Sequence, residues 1–357
     1  MTQRRRRTTS ADVASRAGVS RTTVSFVLSG RRDVNIGAAT RERVLTAARE
    51  LGYHPHGPAR QLAGGRSMTL GLVFRQTAEQ VAVDALLAET LHGLAGAARA
   101  SGFRVLIEPL PHDDGQYAEL LRSQRVDGLV VSGPRADDEE LTALVADEFP
   151  IVLQGSRPDL DIPSVDVDNR AAARRAVAHL IGLGHRRIAC ITNAPLAYTA
   201  AVDRRDGYRE ALEQAGLGYD PELVAEGSFD AASGHATMTE LLGRTTFSAA
   251  FVASDVVALG AIRGIRRSGR SIPGDVAVVG FDDVALAEHF DPPLTTVRVP
   301  ARGIGQAAGR VLLDRVHGLS VPSRTLLPTE LIVRESTGHQ SIGNEVKERV
   351  SARGGAS

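Results

Sequence analysis

Short apolar runs alternate with helical stretches through most of the chain after Gly65. The runs that predict strands are MTLGLVF, FRVLIEP, DGLVVSG, PIVLQG, RRIACIT, AAFVAS and VAVVGF, and helical segments such as DNRAAARRAVAHLIGLG lie between them. Strands that are apolar throughout and separated by helices are typical of parallel sheets covered on both faces. With a break near Pro163, these strands fit two lobes better than one. The pattern therefore predicts an α/β core of two doubly wound parallel sheets.

The N-terminal segment has another pattern, that of three short helices. We expect Ser10 to cap the first helix, SADVASRA, and Gly18 to end it in the left-handed conformation. Ser20 then caps a second helix, RTTVSFVL. The third helix carries apolar residues at helical spacing: Val44, Ala47, Ala48 and Leu51. The small residues and the glycine turn have the spacing of a helix-turn-helix.

The second helix leaves one face free for a partner. Arg21, Thr22, Ser25 and Phe26 lie on that face, where they can reach base edges in the major groove of DNA. Ser20 and the helix N-terminus are expected to hold a phosphate and set the register. An ordinary three-helix bundle with no DNA contact is the alternative.

The charge distribution supports a polyanionic partner for this segment. The chain has no net charge, but residues 1–66 hold 13 arginines against four acids, a net charge of +9. Such a basic segment on an acidic body is typical of binding driven by the release of counterions from nucleic acid.

Composition and the search for targeting signals exclude several classes of protein. One cysteine excludes a disulfide framework and a cysteine-based metal cluster, and Cys190 sits in an apolar run as a small core residue. No apolar run approaches the ~20 residues that span a bilayer. The basic run Arg4–Arg7 is followed by charges instead of an apolar signal core. The sequence thus predicts a cytoplasmic protein with no membrane partner.

SADVASRAGVSRTTVSFVLSG, followed by TRERVLTAARELGYHPHGPARQLAGG, resembles the headpiece of the lactose-repressor (LacI/GalR) family of bacterial transcriptional regulators, and the resemblance extends to about Gly338. It implies that the positions of Arg21, Thr22 and Phe26 read operator bases. It also implies that GPARQLAGG is a hinge that folds on DNA and inserts Leu62 into the minor groove. His56 at a common asparagine position and Phe26 at a frequent arginine position are departures.

The resemblance also implies a periplasmic-binding-protein-like core in which the chain crosses between lobes three times. The expected domains are a helix-turn-helix headpiece at 1–55, a hinge at 56–66, a two-lobed effector domain at 67–338 and a disordered tail at 339–357. We expect lobe 1 at about 67–163 and 294–326, and lobe 2 at about 164–293 and 327–338.

Ligands of open α/β sheets bind beyond the carboxyl ends of the strands. There the resemblance assigns effector contacts to Arg204, Phe229, Ser254 and Asp282. Arg204 could instead pair with an acid of its own helix, and Phe229 could be lobe core. Asp255 is expected mainly to cap the helix after its strand.

The first lobe departs more from the family pattern. FRQTAEQVAVDA lacks the common Asn-Pro-Phe-Phe run, and Gly155 replaces a frequent sugar-binding aspartate. Arg75, Gln76 and Gln154 are then the first-lobe candidates, with Tyr198 lining the same cleft from the second lobe.

Other classes fit less well. LVFRQTAEQ has no glycine fingerprint for a dinucleotide, and no serine elbow or metal-ligand spacing is present. The sequence therefore predicts a homodimeric transcriptional regulator, most often a repressor of carbohydrate genes in this family. It would bind operator DNA and a sugar-like effector, and need no enzyme activity, cofactor or metal. A secreted sugar-binding protein of the same two-lobed fold is the alternative.

Overall fold

A computed structural model describes residues 8–28, 34–53, 66–110 and 117–338. The chain forms two compact units, one made of Met1–Thr69 with Glu119–Asp127 and the other of Leu70–Ala118 with Gly128–Ser357. The predicted hinge, including His56 and Leu62, lies outside the described residues except for Arg66. The predicted disordered tail, 339–357, also lies outside them.

The first unit begins with three helices, α1 (Ser10–Ala17), α2 (Arg21–Leu28) and α3 (Ala38–Glu50). Their contact surfaces form one small core, and its buried members are Val13, Ala14, Ala17, Val24, Val27, Val44, Ala47 and Ala48. Small side chains at this core let the short helices approach closely. The predicted three-helix headpiece is confirmed.

The caps of these helices explain their bounds. Thr9, not Ser10 as predicted, caps α1: its hydroxyl accepts the Asp12 N–H and its own N–H donates to the Asp12 carboxylate. This reciprocal pair satisfies two helix-end donors, which a cap at Ser10 would leave open. Gly18 ends α1 with a φ of 65°, and Ser20 accepts the Thr23 N–H at 3.1 Å as predicted.

The first unit also contains a carboxylate that fixes the backbone at Ser67 and Met68, just after the predicted hinge. Asp127 accepts the backbone N–H groups of Ser67 and Met68 at 2.7 and 2.8 Å, and the Ser67 hydroxyl at 2.9 Å. Met68 has a φ of 55°, a conformation that these bonds help to hold.

The second unit contains two parallel sheets, as the alternating pattern predicted. The first sheet has six strands, whose spatial order is β11 (Arg324–Leu327), β5 (Ser164–Val167), β4 (Ile151–Gln154), β3 (Gly128–Ser132), β1 (Thr69–Phe74) and β2 (Arg104–Pro109). The helices that alternate along the chain with the strands of this sheet are α4 (Ala78–Ala82), α5 (Leu87–Ala100), α6 (Tyr117–Arg122), α7 (Glu139–Ala146) and α12 (Ala301–Val316). Helices α5 and α12 touch at backbone distance, because a Cβ on Gly93 or Gly305 would overlap a carbonyl of the other helix.

The second sheet has four parallel strands, in the order β7 (Val224–Ala225), β6 (Ile188–Ile191), β8 (Ala249–Val252) and β9 (Ala277–Val279). Its helices are α8 (Asn169–Gly182), α9 (Thr199–Gln214), α10 (Ala231–Arg244) and α11 (Asp255–Arg267). Strands β10 (Thr296–Arg298) and β12 (Glu330–Ile332) form a separate antiparallel pair. Cys190 is fully buried in this lobe, as predicted.

The lobe boundaries differ from the predicted ones. Strand β5 pairs with β4 and β11 in the first sheet, so the first crossing follows Val167 and not Pro163. Val297 of β10 packs in the core of the second lobe, so the next crossing follows Arg298 and not residue 293. The third crossing lies between Leu327 and Glu330, close to the predicted place. Short strands near a crossing carry too few residues to show by pattern which sheet they join.

Candidate functional site

A cleft of about 160 Å³ lies between the two lobes of the second unit. Its walls come from the carboxyl ends of strands in both sheets, where ligands of open α/β sheets bind. The polar residues that line it are Gln76, Gln80, Asp84, Thr90, Ser132 and Gln154 from the first lobe, and Asn193, Arg204, Ser254 and Asp282 from the second. Phe229 also lines it. Six of the eight predicted effector residues thus reach one site.

Arg204 has four partners inside the second lobe. Its Nε donates to Asn169 Oδ1 at 2.9 Å, and its Nη1 donates to the Ala253 carbonyl at 2.7 Å. Its Nη1 also lies 3.4 Å from Asp282 Oδ1, and its guanidinium carbon lies 3.8 Å from the centre of the Phe281 ring. The alternative pairing with Asp203 or Asp206 does not occur, since Asp203 pairs with Arg170, and Asp206 pairs with Arg170 and with two arginines of its own helix. Arg204 is therefore held rigidly at the cleft wall.

Asp282 is a buried carboxylate at the end of β9. Its φ of 118° is a strained conformation for a residue with a side chain, and it holds the carboxylate toward the cleft. Burial raises the pKa of Asp282 to about 6, although Arg204 and the Ser254 hydroxyl stabilise the charged form. An ionised carboxylate accepts hydrogen bonds only, so a ligand there must supply donors.

Phe229 places an aromatic edge in the cleft from a strained turn. Its φ is 64°, and its N–H donates to the Asn193 carbonyl at 2.8 Å. Its ring meets Tyr198 edge to face, with centroids 4.8 Å apart. The alternative, a position in the lobe core, holds in part, because the half-buried ring packs against the small core of Ala194, Tyr198 and Ala201 and also lines the cleft.

Four polar atoms at this cleft are buried and have no hydrogen-bond partner within the protein. They are Gln76 Oε1, Thr90 Oγ1, Gln154 Oε1 and Asn193 Oδ1. Leaving such a group unsatisfied costs about 1–3 kcal/mol each. The arrangement is suited to a ligand whose polar groups complete these bonds.

Asp84 is a cleft residue that the sequence prediction missed. It follows α4, and its Oδ1 accepts the Leu86 N–H at 2.9 Å. Burial raises its pKa, and its charge in turn raises the pKa of Asp282. The sequence feature that could have predicted this role is the single acid of the segment VDAL, which lies where the family's Asn-Pro-Phe-Phe run is missing.

Two predicted effector residues do not line the cleft. Arg75 points to the opposite side of its strand, where its Nε lies 3.1 Å from Asp138 and its guanidinium lies over Tyr117. Because side chains alternate along an extended chain, Phe74 and Gln76 face the cleft and Arg75 cannot. Tyr198 lies behind Phe229, and its hydroxyl donates to the Arg75 carbonyl.

The sequence predicted that Asp255 caps α11, but the N-cap position of this helix is occupied by Ser254. The Asp255 carboxylate accepts the Val284 N–H at 3.0 Å and the Thr296 hydroxyl at 2.6 Å. Burial, followed by the charge of Asp282, raises the pKa of Asp255. This carboxylate links the loop that carries Asp282 to the strand that leads toward the lobe crossing.

The lobes touch beside the cleft through backbone groups. Thr199 N–H donates to the Pro134 carbonyl at 3.2 Å, and Ala136 N–H donates to the Ala197 carbonyl at 2.8 Å. Gln80 Nε2 donates to Ser228 Oγ at 3.4 Å. These bonds hold the lobes together around the cleft, so the lining residues of both lobes face one ligand-sized space.

In the three-helix headpiece, the predicted DNA-reading side chains share the outer face of α2. Ser20, Arg21 and Thr22 are exposed, and Ser25 and Phe26 are half-buried. The acids among the described headpiece residues are engaged elsewhere: Asp12 in the capping box of α1, Glu50 with Arg16, and Glu42 with Arg49.

Within residues 8–28, 34–53, 66–110 and 117–338, no group of three histidine, cysteine or acidic residues is arranged to hold a metal ion. In the same ranges, no helix has the length and apolar character needed to cross a membrane.

Comparison with known proteins identifies relatives over almost the whole chain. Residues 9–56 match the family model of bacterial regulatory proteins, lacI family, and residues 177–337 match that of a periplasmic binding protein-like domain. The HTH-type transcriptional regulator CelR of Thermobifida fusca is 40% identical, covering 94% of this chain and 99% of the relative.

Two solved structures are similar over a comparable length. A complex of transcriptional regulator CelR with cellobiose has a TM-score of 0.72 and 38% identity, covering 92% of this chain and 100% of the other. A lac repressor dimer bound to operator and the anti-inducer ONPF has a TM-score of 0.81 and 30% identity, covering 94% and 100%.

Proposed function

Because the chain belongs to the LacI family of bacterial regulatory proteins, it is a transcriptional regulator, and we propose that it binds operator DNA through α2 and a sugar-like effector in the cleft. The proposed base-reading residues are Arg21, Thr22, Ser25 and Phe26, with Ser20 on a phosphate and Leu62 in the minor groove. The proposed effector residues are Gln76, Gln154, Arg204, Phe229, Ser254 and Asp282, to which Asp84, Thr90 and Asn193 are added.

The DNA-binding half of the proposal is supported by the headpiece. The apolar faces of the three helices are buried in their shared core, and Arg21 and Thr22 stay exposed on the outer face of α2. Arg21 can donate two hydrogen bonds to a guanine edge, and Thr22 can bond a base or touch a thymine methyl group. The charge of +9 over residues 1–66 supplies the sequence-independent attraction to phosphates.

One observation carries the effector half: unpaired polar atoms and carboxylates from two lobes converge on one cleft. A sugar has hydroxyl groups that both donate and accept, so it can satisfy amides and carboxylates together. Its C–H face suits the Phe229 ring. The related CelR, whose structure holds cellobiose, supports the same ligand class.

Regulation follows if the effector changes the relation between the lobes. An effector can shift DNA affinity only by its differential binding to two states, typically about 1–3 kcal/mol. We propose a homodimer, by similarity to the lac repressor dimer on its operator, and a cytoplasmic repressor of carbohydrate-related genes. The proposed domains are 1–55, a hinge at 56–66, and two lobes whose crossings follow Val167, Arg298 and Leu327.

The alternative, a secreted sugar-binding protein, would use the cleft but has no role for a basic three-helix headpiece. A DNA-selection experiment separates the two. The full chain is used to select duplexes from a random pool, and binding of the enriched duplex is followed by fluorescence anisotropy with and without sugars. The sugars are glucose, galactose and cellobiose, together with their acids glucuronate, galacturonate and cellobiouronate.

We expect an enriched near-palindrome and a change of DNA affinity with at least one sugar. Arg21→Ala should lower discrimination between the enriched and scrambled duplexes by roughly 1–3 kcal/mol. Arg49→Ala removes the same charge from α3, where it pairs with Glu42, and should leave discrimination intact. No enrichment from the pool would refute the DNA-binding assignment, and an enriched site with no response to any sugar would refute the effector assignment.

A further inference from the structure

We propose that the cleft selects neutral, hydroxyl-rich sugars against their anionic forms, and that Asp84 is the residue that sets this selection. The inference rests on the proposed effector site and adds the charge class of its ligand. It follows from the inventory of charged and polar groups on the cleft wall.

The described residues that line the cleft include two acids and one cation. Asp84 comes from the first lobe and Asp282 from the second, and the cation is Arg204. The two carboxylates line one cleft of about 160 Å³, and the charge of Asp84 acts on Asp282. The wall therefore carries an excess of negative charge.

The one cation is already committed. Arg204 donates to Asn169 and to the Ala253 carbonyl, contacts Asp282 and stacks on Phe281. These bonds use Nε and Nη1, so only the Nη2 side of the guanidinium is left for a ligand, and its charge is already shared with Asp282. A phosphate or carboxylate on a ligand would also face two carboxylates, and like charges repel more strongly at a partly desolvated wall than in bulk water.

The remaining polar groups favour a neutral ligand. Gln76, Gln154 and Asn193 are amides, and Thr90 and Ser132 are hydroxyls, so they bond hydroxyl groups in either direction. Asp84 and Asp282 accept from hydroxyl donors, and such charge-assisted bonds orient a sugar strongly. The described first-lobe residues that line the cleft include no lysine or arginine, so Asp84, unlike Asp282, has no cation beside it on its own wall.

The test compares each neutral sugar with its acid by isothermal titration of the full chain. Glucose, galactose and cellobiose are paired with glucuronate, galacturonate and cellobiouronate, acids oxidised at C6 that keep every sugar ring closed. For the sugar that binds, we expect the acid to bind at least 30-fold more weakly. Asp84→Asn should reduce that ratio at least fivefold, because it removes one like charge but keeps the size of the side chain.

Glu79→Gln removes an exposed acid from the neighbouring helix α4 and should leave the ratio unchanged. Asp84→Ser is a second variant in case the first fails to fold, and the wild-type ratio is a test in itself. Equal binding of a sugar and its acid overturns the inference while leaving the effector site intact, and so does an unchanged ratio in a folded Asp84 variant. If no sugar or acid binds, the proposed effector site falls as well.

Discussion

Replacing Asp282 by asparagine should separate the stability of the second lobe from its response to an effector. Burial raises the pKa of this carboxyl from 3.8 to about 6, so the folded state takes up a proton more readily than the unfolded state between those values. One pKa unit corresponds to 1.36 kcal/mol, so ionisation in the folded state costs about 3 kcal/mol above pH 6. Stability is therefore lost as pH rises through this window.

Asp282→Asn removes that cost, since an amide stays neutral. The groups that face the carboxylate are Arg204, Asp84, Asp255 and the Ser254 hydroxyl, and the pKa shift already includes their electrostatic effects on the ionised carboxylate. The packing contact of Arg204 with the side chain at position 282 remains in the variant. We expect the variant to melt at a higher temperature than the wild type at pH 7.5, by up to the equivalent of about 3 kcal/mol, and at nearly the same temperature near pH 4.

The same substitution should weaken the effector. A hydrogen bond to a charged group contributes about 1.5–3 kcal/mol, which corresponds to about a 10- to 150-fold rise in Kd per bond lost. In the wild type, affinity should rise between pH 5 and 7, because a ligand that donates to the carboxylate favours its ionised form. Operator binding without effector should stay close to that of the wild type.

Thermal melts from pH 4 to 8, titration calorimetry and DNA anisotropy measure the three quantities. Asp275→Asn is a matched control on the same lobe: Ser271 lowers the pKa of Asp275, so this variant should lose stability at neutral pH instead of gaining it. If Asp282→Asn melts lower than the wild type at pH 7.5, or still responds normally to the effector, the description of the cleft is wrong.

Three further substitutions test other parts of the molecule. Leu62→Ala should weaken operator binding in anisotropy while effector affinity in calorimetry stays, because the leucine is assigned to a minor-groove step; an unchanged operator affinity would remove that assignment. Gly260→Ala should lower stability by about 1–3 kcal/mol in thermal unfolding, because its Cβ would lie 1.8 Å from the Ala231 carbonyl oxygen, whereas Gly243→Ala meets no atom within 4 Å and should not. Thr9→Ala should speed hydrogen exchange of α1 by removing a cap that contributes about 0.5–2 kcal/mol, and equal exchange rates would contradict the observed capping box.

Local patterns determined the elements and the general function. The apolar runs predicted seven strands, because a strand buried on both faces must be apolar along its whole length. The headpiece followed from helical spacing and from the glycine and serine at its turn, whose conformations are set within a few residues. Membership of the family was likewise visible in the sequence, since the motif of the headpiece is contiguous.

The tertiary structure decided which side chains meet in the cleft. Arg75 and Gln76 are neighbours in sequence, yet the strand sends only Gln76 into the cleft, and Arg75 binds Asp138 instead. The short strand β5 belongs to the first sheet because it pairs with β4 and β11. The pattern of its four residues does not show which sheet it joins. Asp84 reaches Asp282 only because the chain brings the ends of two separate sheets together. Local sequence controls backbone conformation, whereas the direction and partners of a cleft side chain depend on contacts between residues far apart in the chain.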